Sequence, residues 1–376
     1  MQRNNDSSQF VKHRICIFCE RWESGGIESF LTNMLTHMKL DGFEIDIVAA
    51  ELAENVFEFK LKELGVQFIK LSGNQKNILK NSKLLRSLMA ERHYDLIHVN
   101  IYHALSMRYL KLAMKQNIPV RIVHSHNTAL RMSFFRPLKM LIHNLARQRY
   151  TKYATHYWAC SKAAAEFMFP SGINYTFVPN GIEIQRFTYD VQARKRIRVA
   201  LGVDENCLVI GHIGRLCYQK NQMFLLDILY EAKSLKQGVK LLLAGEGEDK
   251  IKLIERAKVL QLQDDVIFYG TTDRPEELYS AMDVFVFPSL FEGLGIAAVE
   301  AQASGLPVVC SESVPTEAKV SENVRTIQLS AGAKEWASAI VKYDVRLIER
   351  SKVSKKIMTY DVDSAIIMIA ALISAI

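Results

Sequence analysis

The stretch that most narrows what this chain can become runs from Asp283 to Val309. Val284 to Phe287 is a short run of β-branched and aromatic residues, as expected of a strand buried on both faces of a parallel sheet. Pro288 stops it, Ser289 to Gly293 form a loop, and Leu294 to Ala303, rich in alanine, predict a helix. Gly305 ends that helix, and Pro307 to Cys310 open a new strand.

Two carboxylates sit in this unit. Glu292 falls in the loop, and Glu300 is expected about two turns into the helix, on its exposed or cleft side. Between them Gly293-Leu294-Gly295 lets the backbone approach a ligand, at a helix start whose free N–H groups suit a diphosphate. A site for a diphosphate and several sugar hydroxyls needs both parts: amides and cations for the phosphates, carboxylates as acceptors for the hydroxyls. Taken alone, the stretch is equally an ordinary strand–helix unit with two surface glutamates.

Phe291-Glu-Gly-Leu-Gly and the later Glu300 resemble the two-glutamate motif of retaining GT-B glycosyltransferases, family 4 (group 1), which use nucleotide-sugar donors. Other motifs occur in that family's order. Gly25-Gly26 lies where the first strand, His13 to Phe18, meets the first helix, and the resemblance puts this turn, Gly26 included, opposite the donor. The pattern is not the dinucleotide fingerprint. Strands at Tyr94–Asn100 and Pro119–His124 carry His98, Asn100 and His124-Ser-His-Asn127 at their carboxyl ends, where open α/β sheets bind ligands. The family keeps a histidine there beside the transferred sugar; His126 is the choice and His124 the alternative. A Pro179-Asn-Gly turn resembles the family's interdomain junction.

In the second half, Leu208 to Leu216 reads as a strand running into a Gly-Arg turn, with Lys220-Asn221 opening a helix. The resemblance implies that Arg215 and Lys220 hold the donor diphosphate; two fixed cations in a dry cleft can stabilise such a leaving group without a metal. Ala244-Gly-Glu-Gly-Glu248 is a second glycine turn, expected near the base or ribose, and Gly270, ending another strand, is expected beside the nucleobase. Glu300 is implied for the ribose hydroxyls and Glu292 for the transferred sugar. Two departures stand out: Leu294, where many relatives carry an aromatic, and Cys217-Tyr-Gln-Lys220, where many have an acidic residue before the lysine. The His-Ser-His-Asn turn looks most like bacterial exopolysaccharide and capsule members.

At 376 residues, 49% hydrophobic and 23% charged, the chain is large enough for two ordinary domains. The start, Met1 to Gln9, is polar, is expected to be disordered and carries no signal-peptide core. The run Ala365 to Ile376 is too short to span a bilayer and reads as a buried terminal helix rather than an anchor. Cys16 and Cys19 have CxxC spacing inside an apolar run, so reduced strand residues are favoured over redox chemistry, and no cysteine or histidine cluster suggests zinc. The net charge of +8 is uneven: no acidic residue occurs between Asp95 and Glu166. The basic segment 108–152 interleaves its cations with Leu130, Met132, Phe134, Phe135, Leu138 and neighbouring apolar residues. Such a segment suits an anionic membrane surface. A solvated basic face is the bland alternative, and nucleic acid is disfavoured for want of any motif.

The expected architecture is therefore α/β: a GT-B fold of two Rossmann-like doubly wound domains facing each other across a cleft. Residues 1–185 would form the acceptor-binding domain and 186–376 the nucleotide-sugar domain, with a last helix at about 360–376 packing back on the first. The implied activity is retaining transfer from a UDP-sugar to a saccharide or polyprenyl-linked saccharide, at the cytoplasmic face of a membrane, with no cofactor or metal. Competing readings are a nucleotide-sugar epimerase or hydrolase, which would need carboxylates in the first half of the cleft, and a non-enzymatic membrane adaptor. Between Asp95 and Glu166 no such carboxylate exists.

Overall fold

The protein is described by a computed structural model that covers residues 12–23, 25–53, 56–130, 134–343, 350, 354–363 and 366–367. The first half alternates β1 (His13–Trp22), α1 (Gly26–His37), β2 (Phe43–Leu52), α2 (Val56–Glu63), β3 (Gln67–Lys70), α3 (Ile78–Arg92) and β4 (Leu96–Ile101). It continues with α4 (Arg108–Lys115), β5 (Val120–Ser125), α5 (Arg136–Tyr150), β6 (His156–Ala159), α6 (Lys162–Met168) and β7 (Thr176–Phe177). The second half holds α7 (Val191–Ala200), β8 (Leu208–Ile213), α8 (Gln222–Leu235), β9 (Val239–Ala244), α9 (Lys250–Val259) and β10 (Val266–Gly270). It ends with α10 (Pro275–Ala281), β11 (Val284–Phe287), α11 (Ile296–Ala303), β12 (Val308–Ser311), β13 (Val324–Ile327) and α12 (Gly332–Ile340).

The strands form two wholly parallel sheets, in the orders β3-β2-β1-β4-β5-β6-β7 and β10-β9-β8-β11-β12-β13. Each is doubly wound, with strand order reversing beside β1 and β8, so the crevice at the carboxyl ends of β1/β4 and β8/β11 is where a ligand belongs. Strand periodicity explains the layers. Ile15, Ile17 and Cys19 of β1 pack with Trp22, Phe30 and Leu31, while Cys16 and Phe18 point the other way, towards Val99 and Tyr109. Cys16 and Cys19 therefore lie on opposite faces; all six cysteines are free thiols, and burial raises these two well above the ordinary thiol range.

Val284 to Phe287 is buried throughout, as its composition predicts. Asp283, just before it, is a buried anion that joins three elements: it accepts from Arg194 (2.6 Å) and Arg198 (3.1 Å) of α7 and from the Val209 N–H (2.7 Å) of β8. Helix α11 starts at Ile296, not at Leu294, because Gly295 takes a left-handed φ of 90°. Glu300 consequently lies just over one turn into the helix, not two.

Helix α12 begins at Gly332, and strand β13 closes the edge of the second sheet. The expected terminal helix falls almost wholly outside the described residues, as does the N-terminal segment. What is described does return to the first half: the Ile182 N–H donates to Tyr360 O (2.7 Å) and the Val362 N–H to Ile182 O (3.1 Å). Among the described residues, no helix is long and apolar enough to cross a membrane.

Candidate active site at the facing strand ends

Arg215 leaves the carboxyl end of β8 on a turn that is clamped from below. His212 is fully buried and its Nδ1–H donates to Val286 O (2.9 Å), which leaves Nε2 to accept from Gln222 Nε2 (3.2 Å). The same Gln222 amide donates to Arg215 O (2.8 Å), and its oxygen accepts the Cys217 N–H (3.2 Å). Burial keeps His212 neutral, its pKa lowered to about 4. The glycine turn after β9 completes the clamp: a Cβ on Gly245 would lie 2.1 Å from Gly214 O, so only glycine admits this approach. Arg215 itself, 36% exposed along its side chain, reaches Glu23 of the first half (2.7 Å) and Glu248 (3.1 Å). Gly270, with φ of 84°, ends β10 beside this turn and accepts the Gly245 N–H (2.7 Å).

Lys220 meets Glu292, Nζ to Oε1 2.8 Å, and sits 4.7 Å above the Phe287 ring. Glu292 is 4% exposed, and its loop is tied to the chain before Lys220 by Leu290 N–H to Gln219 O (2.8 Å) and Gln219 Nε2 to Phe291 O (3.0 Å). Leu294 is buried beside it. Glu300 accepts from the Tyr279 hydroxyl (2.8 Å); burial raises its pKa to about 7, with that hydrogen bond opposing. The chain thus brings Lys220 and Glu292 into contact, with Arg215 anchored across to the first half and Glu300 one turn along α11.

The first half presents the carboxyl ends of β1, β4 and β5. Gly25 is the N-cap of α1 and Gly26 its first residue, with open space where a Gly26 Cβ would stand. His126 Nε2 pairs with Asn100 Oδ1 (2.9 Å); that oxygen only accepts, so the ring hydrogen is on Nε2 and Nδ1 is left as a buried acceptor with no partner. Burial lowers the His126 pKa to about 3. His124 is fully buried beneath it, packed with His98, Phe30 and Trp158. The two halves touch directly here. A Cβ on Gly293 would lie 2.0 Å from His126 O, so the glycine serves interdomain approach as well as any ligand.

Three carboxylates that the sequence reading passed over lie at the end of β1. Glu20 accepts from Ser106 (2.7 Å) and pairs with His103 (3.3 Å). Glu23 holds Arg215. Glu28 is 1% exposed, accepts the Glu23 N–H (3.0 Å), and is raised to about 7 by burial, with its Oε2 unpartnered. The first half therefore brings acids to the cleft from around the β1–α1 turn, not from the acid-free interval between Asp95 and Glu166. The signal was available, since Glu20 and Glu23 bracket the step from strand to the Gly25-Gly26 turn. Among the described residues, no group of three or more His, Cys, Asp and Glu side chains could hold a metal ion.

Two doubly wound domains meeting strand end to strand end define the GT-B fold, and solved structures agree. HepE of Anabaena, solved with UDP-glucose, superposes with a TM-score of 0.77 over 96% of this chain and 100% of its own, at 22% identity. At the level of sequence, residues 24–186 match the model of Glycosyltransferase Family 4 and residues 193–342 that of Glycosyl transferases group 1. EpsF of Bacillus subtilis (strain 168) is 30% identical over 328 residues, 85% of this chain and 84% of EpsF. The chain belongs to the group 1 glycosyltransferases. A shorter match, 29% over 138 residues and 36% of this chain, is to 35% of the Escherichia coli UDP-Gal:alpha-D-GlcNAc-diphosphoundecaprenol alpha-1,3-galactosyltransferase.

Proposed function

We propose that this glycosyltransferase moves a sugar from a UDP-sugar to a hydroxyl of a saccharide or polyprenyl-linked saccharide, with retention, in the synthesis of cell-surface polysaccharide. The observation that carries the reading is the convergence of Lys220, Glu292, Arg215 and Glu300 on the carboxyl ends of β8 and β11. In this reading Arg215 and Lys220, helped by the amides of Gly293 to Gly295, take the diphosphate. Glu300 accepts from the ribose hydroxyls and Gly270 lies beside the base. Glu292 and the free Nδ1 of His126 accept from hydroxyls of the transferred sugar, with Leu294 and Gly26 lining its surroundings. The bond from the anomeric carbon to the diphosphate oxygen breaks, the acceptor oxygen joins that carbon on the same face, and the acceptor's proton passes to the leaving diphosphate. The two cations meet the charge that develops there, so the step needs no metal. HepE's complex and the E. coli relative's name support a UDP-sugar donor, and that name also supports a lipid-linked acceptor.

Family membership sets the adaptor reading aside. The hydrolase reading gains Glu20, Glu23 and Glu28, and one assay separates it from transfer. UDP release is followed over a panel of UDP-sugars, with and without bacterial membrane extract, and the product's anomeric coupling is read by NMR. Release from one donor that rises with extract, giving a product of retained configuration, is expected. Release unaffected by extract would favour hydrolysis, and an inverted product would end the retaining assignment. Arg215→Ala is expected to weaken UDP binding by about 10- to 100-fold, as for a lost charge-assisted contact.

We also infer that the basic segment 108–152 rests on an anionic membrane surface at the cytoplasmic face. Helix α5 buries only His143 and Ala146, leaving Leu138, Leu141, Ile142 and Leu145 exposed at helical spacing.

A further inference from the structure

Glu292 belongs to the second domain, yet its main chain is held by the first. The Thr128 hydroxyl donates to Glu292 O (2.8 Å), and the Ser161 hydroxyl donates to Gly293 O (2.5 Å). Both donors are fixed by their own domain before they reach across. The Thr128 N–H is bound by Asn127 Oδ1 (3.0 Å), and the Asn127 amide is bound in turn to Tyr102 O (3.2 Å) and Ala129 O (2.7 Å). Ser161 is the fully buried N-cap of α6, and its oxygen also accepts the Ala164 N–H (3.1 Å). Two consecutive carbonyls are thus gripped by two rigid hydroxyls, while the bare Cα of Gly293 lies against His126 O. From the other side, Gln219 and Lys220 hold the same loop and the carboxylate. A peptide fixed at consecutive carbonyls has no freedom to turn, so the direction of the Glu292 side chain is set from both domains.

We propose that Thr128 and Ser161 are positioning residues for Glu292: they hold the Glu292–Gly293 peptide so that the carboxylate meets the transferred sugar only when the two domains are docked as seen here. The inference rests on the reading of Glu292 as a sugar contact. Its consequence is a division of labour. UDP is held chiefly by Arg215, Lys220 and Glu300, none of which the two hydroxyls touch, so it depends little on the grip, whereas the sugar-dependent step needs it.

The test uses the full-length protein and compares Thr128→Val, which keeps the side-chain shape, with Ser161→Gly, which removes the hydroxyl at little cost to the helix cap. Transfer kcat and donor KM are measured beside the dissociation constant for UDP and the melting temperature. Each variant is expected to lose about three- to tenfold in kcat, the worth of one hydrogen bond, with UDP affinity within twofold of the parent. Thr128→Ser is expected to restore the rate. In a Glu292→Gln background, the same two changes should cost almost nothing further. Equal loss of UDP affinity and kcat would mean that the hydroxyls only join the domains, and an unchanged kcat or full cost in the Glu292→Gln background would overturn the proposal. If Glu292→Gln itself leaves transfer intact, the parent reading falls instead.

Discussion

Arg215 and Lys220 are not bare cations waiting for phosphate. Lys220 is paired with Glu292 and Arg215 with Glu23 and Glu248, so in the proposed reading a diphosphate would compete with carboxylates already in place. At Arg215 the competition is mild, because a partly exposed ion pair is worth ~0–1 kcal/mol, whereas a diphosphate offers two charges and several oxygens to the same guanidinium. Glu23 is then a displaceable partner, and its removal should help the diphosphate. Glu23→Gln is expected to tighten UDP binding about two- to fivefold, in line with the small worth of such a pair, as measured by calorimetry at low salt. Weaker binding in that variant would mean that Glu23 steers the guanidinium into position, and the displacement idea would be lost.

At the scale of elements, two glycines that look alike in sequence carry different loads. Gly293 connects the loop of Glu292 to α11 at the point where it meets His126 O, and an added Cβ would sit 2.0 Å from that oxygen. Gly26 opens α1 into free space. Gly293→Ala is therefore expected to lower the melting temperature by several degrees and to abolish transfer, since backbone must move in both domains. Gly26→Ala should leave the fold intact or slightly more stable, and should lower transfer if the donor sugar occupies the space above it. A melting scan and a UDP-release assay on both variants decide the matter; an unharmed Gly293→Ala protein would mean that the two domains do not meet as described. These contacts also show what the sequence could and could not convey. The strands were legible because β8 and β11 are apolar runs ended by glycine or proline, and the motif order placed Arg215, Lys220, Glu292 and Glu300 at their carboxyl ends. The start of α11 was misplaced because helix propensity favours Leu294, while the left-handed Gly295 that delays the helix is a matter of conformation. Thr128 and Ser161 were illegible as site residues because their partners lie far along the chain and across the domain boundary, and Gln222 because its role is to clamp a turn through backbone contacts that no motif records. Glu23 is legible in position, directly after a strand's carboxyl end, but its pairing with Arg215, 192 residues away, is not.

The whole molecule has a direction. The carboxyl strand ends of the two domains face each other, while the first domain turns one apolar face of α5 outwards. The stripe Leu138, Leu141, Ile142 and Leu145 spans two turns of α5, with Phe134 and Phe135 exposed just before it. A soluble helix ordinarily buries such a stripe; here His143 and Ala146 do the packing, and His143 Nδ1 bonds the Ala104 N–H (3.2 Å) in the stretch that follows β4. Around the stripe stand Lys139, Arg149 and Lys152, and no acid lies between Asp95 and Glu166 to repel an anionic surface. Each leucine inserted into a lipid interface would contribute roughly 1.5–3 kcal/mol and each nearby cation about 1 kcal/mol, so a face of this size would suffice for the proposed hold on anionic lipid. The variant Leu138→Glu, Leu141→Glu, Leu145→Glu reverses both contributions at once. It is expected to lose more than tenfold in co-sedimentation with phosphatidylglycerol vesicles while binding UDP as the parent does, because α5 carries none of the groups assigned to the nucleotide. Parent binding should weaken as salt rises, the mark of the cationic share. Undiminished vesicle binding by the triple variant, or parent binding no stronger to anionic than to neutral vesicles, would remove α5 as the proposed membrane face.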